Sequence, residues 1–128
     1  MRKIVLLIDD QMLDIALTRQ ALSDCSIEHE IIATFDGFEG LTQLASKRFD
    51  VVILDLKMPK VDGFEVLAQM RVQPALSTIP VIVVSNSDLQ VDRARASTLG
   101  AVEYVHKSLD YSDFKSNLKA ALGQHGFC

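Results

Sequence analysis

The chain carries only two cysteines, Cys25 and Cys128, far apart and without any Cys-x-x-Cys or Cys/His ligand spacing. That scarcity excludes a zinc ribbon or a thioredoxin-type redox motif and leaves both residues to be read as structural thiols. No apolar stretch approaches the roughly 18 residues of a membrane span, so no membrane insertion is expected. The basic start Met1-Arg2-Lys3 leads into a short apolar run, Ile4 to Ile8, that ends at two aspartates, which is too brief for a signal peptide; a cytoplasmic protein is expected. There is no Lys/Arg run, and a net charge of -4 argues against nonspecific nucleic-acid binding, which needs a basic surface to release counterions. No Pro-, Ser- or Gly-rich linker and no low-complexity tract interrupts the chain. Its 128 residues suffice for one real core and leave no room for a second, so a single domain over residues 1–128 is expected.

What the sequence does have is a series of short apolar runs separated by longer segments of helical periodicity, the pattern of repeated βαβ units. Strands are expected near residues 3–8, 29–34, 50–54, 80–84 and 101–105, with five helices between and after them. The first, third and fourth runs are aliphatic and largely β-branched, as central strands covered on both faces are. The second, Glu28-His29-Glu30-Ile31-Ile32-Ala33, mixes polar with apolar and suits an edge. Right-handed crossovers then close the series into a doubly wound parallel sheet, whose ligands sit beyond the carboxyl ends of the strands.

The last helix has the clearest apolar stripe, Tyr111, Phe114, Leu118, Ala121 and Leu122, with Lys115 and Lys119 opposite. Segment 89–99 offers only Val91, Ala94 and Leu99 beside Arg93 and Arg95, a thin face that predicts a weakly anchored helix. Two copies of Asp-Gly-Phe-Glu, at 36–39 and 62–65, stand where helices should begin. An acid that caps a free amide, with Glu three residues later reaching back, explains both better than a calcium loop, since no alternating ligand series follows either copy.

Polar residues end four of the apolar runs: Asp9-Asp10, Asp55, Ser85 and Lys107. If the runs are parallel strands, three carboxylates, a hydroxyl and an ammonium meet at one sheet edge. Crowded carboxylates repel one another unless a cation sits among them, and a hard ion such as Mg²⁺ suits oxygen ligands. Each acid taken alone could equally cap a helix or face solvent. His29, His106 and His125 form no ligand set, and Asn86 reads as a loop residue.

The segment Asp55-Leu56-Lys57-Met58-Pro59-Lys60-Val61-Asp62-Gly63 resembles the phosphoacceptor stretch of response-regulator receiver domains, with their Asp-x-x-Met-Pro-x-x-Asp-Gly pattern. Asp9-Asp10, Ser85 and Lys107 match that family's acidic pair, hydroxyl residue and lysine in order and approximate spacing, so the resemblance covers essentially the whole chain. It implies a flavodoxin-like (βα)5 fold with strand order 2-1-3-4-5. It implies that Asp55 accepts a phosphoryl group from a histidine kinase or phosphotransfer protein, with Asp10, Asp55 and the backbone carbonyl of Lys57 holding Mg²⁺ and Asp9 acting directly or through a bound water. Lys107 would pair with a phosphoryl oxygen, Ser85 would donate its hydroxyl, and Tyr104 would be an aromatic switch turning from exposed toward buried.

Two departures stand out. Ser108 follows Lys107 where the family usually has proline, which makes a trans peptide the expectation there, and Ser85 lacks threonine's methyl, which loosens the expected steric link between its loop and Tyr104. Lys57 and Ser87, at positions similar to those that tune phosphoryl loss, bring no carboxylate or amide to position water, so slow self-dephosphorylation is expected. Gln73-Pro74-Ala75-Leu76-Ser77-Thr78-Ile79-Pro80 resembles single-domain regulators that accompany bacterial photoreceptor kinases. The expected protein is thus a stand-alone receiver rather than an enzyme, acting through contacts with an unknown downstream protein or by shuttling the phosphoryl group onward, with homodimerisation left open. An aspartyl phosphatase of the haloacid dehalogenase type would need Asp-x-Asp where Asp9-Asp10-Gln11-Met12 stands, and a flavodoxin-like binder would need a hydroxyl- and glycine-rich loop there. A pseudo-receiver acting only as an interaction surface would need a disabled site.

Overall fold

The computed structural model describes residues 2–128. Strands and helices alternate throughout: β1 (Lys3–Ile8), α1 (Met12–Ser23), β2 (His29–Thr34), α2 (Gly37–Ser46), β3 (Val51–Asp55), α3 (Gly63–Arg71), β4 (Val81–Ser85), α4 (Gln90–Thr98), β5 (Glu103–His106) and α5 (Tyr111–Gln124). All pairings are parallel, and the sheet runs β2-β1-β3-β4-β5, the doubly wound order that the resemblance implies. The β-branched run of β3 is buried at every position, whereas β2 at the edge is half-buried along most of its length.

Because neighbouring strand residues point to opposite faces, each run feeds two cores. Leu6, Ile8, Val52, Leu54 and Val83 pack with Leu44 of α2, Phe64, Leu67 and Met70 of α3 and Ala96 of α4. Val5, Leu7, Val51, Ile53, Ile82 and Val84 pack with Ile15, Ala21 and Leu22 of α1 and with Phe114, Leu118, Ala121 and Leu122 of α5. The register that results aligns Ile8 with Leu54, Asp55 with Val84 and Ser85 with His106. The polar residues at and just beyond these positions therefore share one end of the sheet.

The repeated Asp-Gly-Phe-Glu segments are helix starts. Asp36 accepts the Glu39 amide at 2.7 Å while the Glu39 carboxylate accepts the Phe35 amide at 2.9 Å, and Asp62 accepts the Glu65 amide at 3.0 Å. Such side-chain caps are worth about 1 kcal/mol each.

β5 runs from Glu103, within two residues of the expected start, with Gly100 at φ 103° carrying the turn out of α4. Three expectations are corrected. Tyr111 is exposed at the first position of α5; Phe114, Leu118, Ala121 and Leu122 carry the docking face. In α4, Val91 and Ala94 face outward, and the helix is held by Asp92, Ala96 and Leu99; the face is thin, but a carboxylate supplies part of it. Finally, Cys25 and Cys128 are not free thiols but form a disulfide. Helices α1 and α5 pack side by side, so the turn after one meets the tail after the other, a proximity that sequence separation hides. The same tail seats Phe127 in the core, and its carbonyl lies 2.7 Å from His29 Nε2.

No helix among the described residues is long and apolar enough to cross a membrane.

Candidate functional site

β1 delivers Asp9 and Asp10 and β3 delivers Asp55 to the same end of the sheet, where carboxylate oxygens of all three converge within 4.8 Å of one another. Asp9 and Asp55 are buried and Asp10 half-buried. Asp9 accepts the Gln11 amide at 2.9 Å, which ties the start of α1 to the acid. Lys107, brought in by β5 and itself buried, places its ammonium 2.9 Å from Asp9, 2.8 Å from Asp14 and 3.5 Å from Asp55. Its backbone amide donates to the Ser85 carbonyl at 2.7 Å, locking the strand end beside β4.

One ammonium does not neutralise this many acids. Burial pushes the Asp55 carboxyl up to about 7, against the opposing pull of Lys107, and the neighbouring charges of Asp9 and Asp10 add to the rise. Asp9 is raised as well, again by burial first. Burial alone would lower Lys107, but Asp55, Asp9 and Asp14 together outweigh it and hold the ammonium protonated. Among the described residues, Asp10 Oδ1 is buried without a hydrogen-bond partner. A buried carboxylate oxygen left without a donor, beside two more acids short of positive charge, fits a divalent cation with oxygen ligands.

The loop after Asp55 is shaped by close contact. Gly63 returns so near to β3 that a Cβ there would lie 2.3 Å from the Asp55 carbonyl oxygen and 2.7 Å from Leu56 Cα. Its amide donates to the Leu56 carbonyl at 2.9 Å, closing a loop in which Lys60 takes a left-handed φ of 65°.

Ser85 is fully buried at the end of β4, and its hydroxyl oxygen accepts the Ser87 amide at 3.1 Å. Tyr104 does not point to solvent: half-buried, it donates its hydroxyl to the Ser87 carbonyl at 2.8 Å, with the Arg93 guanidinium 4.6 Å above its ring. The Ser87 hydroxyl donates to Asp92 in α4, and the same Asp92 oxygen lies 3.4 Å from Lys57 Nζ. Lys57 and Ser87, the two positions similar to those that tune phosphoryl loss, are thus drawn together by one carboxylate of α4. No cis peptide occurs among the described residues, so Lys107-Ser108 is trans.

The fold thus gathers Asp9, Asp10, Asp55 and Lys107 at one end of the sheet, with Ser85 at the end of β4 and Tyr104 in β5 bonded to the loop that follows β4. Reading the sequence missed Asp14 and Asp92. Asp14 falls one helical turn after Asp10, a spacing that could have signalled a fourth acid at the same end; Asp92 gives no comparable signal. The three histidines are dispersed: His106 lies 3.1 Å from the Asn86 carbonyl and His125 2.9 Å from Glu103.

Residues 5–119 match the family model of the response regulator receiver domain. The chain is 34% identical over 118 residues to the response regulator Rcp1 of Synechocystis sp., covering 87% of this chain and 80% of that protein. The phosphorylated cyanobacterial phytochrome response regulator RcpA superposes with a TM-score of 0.89 at 32% identity, covering 95% of this chain and 92% of that one. The Mn(2+)-bound form of Rcp1 gives 0.86 at 32% identity, covering 94% and 92%. Against longer relatives, such as the PhoP transcriptional regulator of Bacillus subtilis, 29% identical over 122 residues and covering 95% of this chain, the match spans 49% of their length.

Proposed function

The chain belongs to the response regulator receiver domain family, and from that premise we propose that residues 1–128 form one receiver domain that accepts a phosphoryl group on Asp55. The observation that carries this reading is the burial of Asp55 between an under-neutralised acid pair, one of whose oxygens has no hydrogen-bond partner, and the Lys107 ammonium. Asp9, Asp10, Asp55 and the Lys57 carbonyl would hold Mg²⁺, which when bound supplies the positive charge that the acids lack and that transferring phosphoryl oxygens require.

The chain's own residues do the rest. Asp55, ionised, attacks the phosphorus of a phosphohistidine; an oxygen–phosphorus bond forms as the nitrogen–phosphorus bond breaks, and the donor imidazole keeps the electron pair. Lys107 pairs with a phosphoryl oxygen and Ser85 donates its hydroxyl to another. That donation competes with the Ser87 amide for the serine oxygen, so the loop holding Tyr104 and Asp92 feels the arrival of the group. This is a switch that changes state rather than an enzyme that turns over a substrate. With Lys57 and Ser87 both engaged by Asp92, neither orients water, and the phosphoryl group is slow to leave.

The donor is a histidine kinase or phosphotransfer protein. Around the crevice, Met12, Leu13, Phe38 and Leu109 are exposed, a set of large apolar side chains suited to seating it. Similarity to the cyanobacterial phytochrome response regulator RcpA favours a photoreceptor kinase as that donor. The output is a protein contact, with a downstream protein or a second copy of the chain, and not nucleic acid. Intact mass after incubation with acetyl phosphate tests the proposal: one added phosphoryl group is expected with Mg²⁺, and none with EDTA. Absence of the adduct in a folded, Mg²⁺-supplied protein would leave a pseudo-receiver.

A further inference from the structure

Lys107 has three carboxylate neighbours, and one of them stands apart from the others. Asp9 and Asp55 belong to the cluster whose oxygens converge within 4.8 Å; Asp14 lies outside it, on the first turn of α1. Yet Asp14 makes the shortest contact of the three, 2.8 Å, against 2.9 Å to Asp9 and 3.5 Å to Asp55. We propose that Asp14 is a positioning residue for Lys107, a carboxylate not claimed by the cation site that keeps the ammonium aimed at Asp55 when that site is filled. The proposal rests on the reading of Asp55 as phosphoacceptor.

Three observations carry it. First, charge: once Asp9 and Asp55 are neutralised by a divalent cation their attraction for Lys107 falls, and a long flexible ammonium beside a dication would be driven away. Of its three partners, only Asp14 then keeps its full charge for the lysine. Second, the backbone does not do this work. The Lys107 amide is fixed to Ser85, but the chain after it runs through Ser108 to a fully exposed Leu109, with no proline to stiffen it. The far end of the side chain is located by what it bonds to. Third, Asp14 rides on a fixed element. Ile15 beside it is buried in the core, its amide donates to the Gln11 carbonyl at 3.0 Å, and the Gln11 amide is held by Asp9. Asp14 is only 22% exposed at its side chain and Lys107 only 5%, so the pair is sheltered from the screening that makes surface ion pairs weak.

The opposite arrangement, in which Asp14 competes with the phosphoryl group for Lys107, predicts the opposite sign, and a double-mutant cycle separates them. Beryllofluoride, a mimic of the phosphoryl group, is titrated in Mg²⁺ into the native chain, Asp14→Asn, Lys107→Gln and the double variant. Asp14→Asn should weaken capture about fivefold, and the same change in the Lys107→Gln background should cost nothing further. Asp14→Glu, which keeps the charge, should recover most of the loss. Unchanged capture, tighter capture, or an equal loss in both backgrounds would overturn the proposal. A second readout needs no phosphoryl mimic: the ¹H–¹⁵N resonance of the Lys107 ammonium should persist when Mg²⁺ is added to the native chain and vanish in Asp14→Asn. If the native chain captures no beryllofluoride, the reading of Asp55 falls; the ammonium resonance then decides the anchor by itself, and its survival in Asp14→Asn would refute it.

Discussion

The hydroxyl of Tyr104 donates to the backbone carbonyl of Ser87 at 2.8 Å, joining the aromatic ring of β5 to the loop that follows the buried hydroxyl of Ser85. The same loop is held from the other side by Asp92, which accepts from the Ser87 hydroxyl and faces Lys57. Tyr104 is therefore tied, half-buried, to a loop that Asp92 holds from α4. Asp92→Asn should release it. In a Tyr111→Phe background, which leaves Tyr104 as the only tyrosine, acrylamide should quench tyrosine fluorescence more strongly in Asp92→Asn than in its parent. Equal quenching would show that Asp92 does not hold the loop.

Stability should depend on pH through Asp55. Its folded carboxyl is raised from 3.8 to about 7, so the fold prefers the protonated acid. The stability this confers is full below about pH 4 and is lost as pH rises through about 7. Asp55→Asn keeps the shape without the charge. In metal-free buffer at pH 8 it should melt about 5 °C or more above the native chain, with the gap closing toward pH 4. Added Mg²⁺ should raise the Tm of the native chain and have much less effect on the variant. Thermal melts at the two pH values, with and without Mg²⁺, check both signs.

Gly63 is set by crowding rather than by φ. A methyl group there meets backbone, the Asp55 carbonyl and Leu56 Cα, which cannot rotate aside. Gly63→Ala should cost about 3 kcal/mol and displace Asp55, so that Mg²⁺ binding weakens along with the fold. Denaturant unfolding and a Mg²⁺ titration measure the two losses.

The Cys25–Cys128 disulfide closes a loop of sequence separation 103 and fixes the tail that carries Phe127. Such long closures contribute about 2–4 kcal/mol, largely by restricting the unfolded chain. The oxidised protein should show no reactive thiol, and reduction should lower Tm by about 10 °C. A reduced protein with unchanged Tm would mean the tail is held by Phe127 alone.

Much of this was legible in the sequence for a physical reason. Short β-branched runs such as Val51 to Leu54, alternating with helical segments, read as covered parallel strands, and a polar residue ending each run then lies at one end of the sheet, so Asp9, Asp10, Asp55 and Lys107 could be placed together before any coordinates. Asp36 and Asp62 announced helix starts through the Glu three residues later. What stayed hidden depended on tertiary approach. Asp92 looks like an ordinary helix-surface acid until α4 is docked, Asp14 is marked only by its spacing from Asp10, and Cys25 and Cys128 look unrelated until α1 and α5 pack. Tyr111 and Val91 misled because an apolar stripe shows which face a helix favours but not how far the partner sheet reaches along it. Tyr104 was expected outward because only the loop, not the residue, determines where its hydroxyl finds a carbonyl.

The most direct test of the central claim is to locate the phosphoryl group. After incubation with acetyl phosphate and Mg²⁺, borohydride reduction converts an aspartyl phosphate to homoserine, and peptide mass spectrometry reads the position. Homoserine is expected at residue 55 and at no other aspartate, and is lost when Mg²⁺ is withheld. Homoserine at Asp9 or Asp10, or at none of the acids in a folded and Mg²⁺-supplied protein, would contradict it.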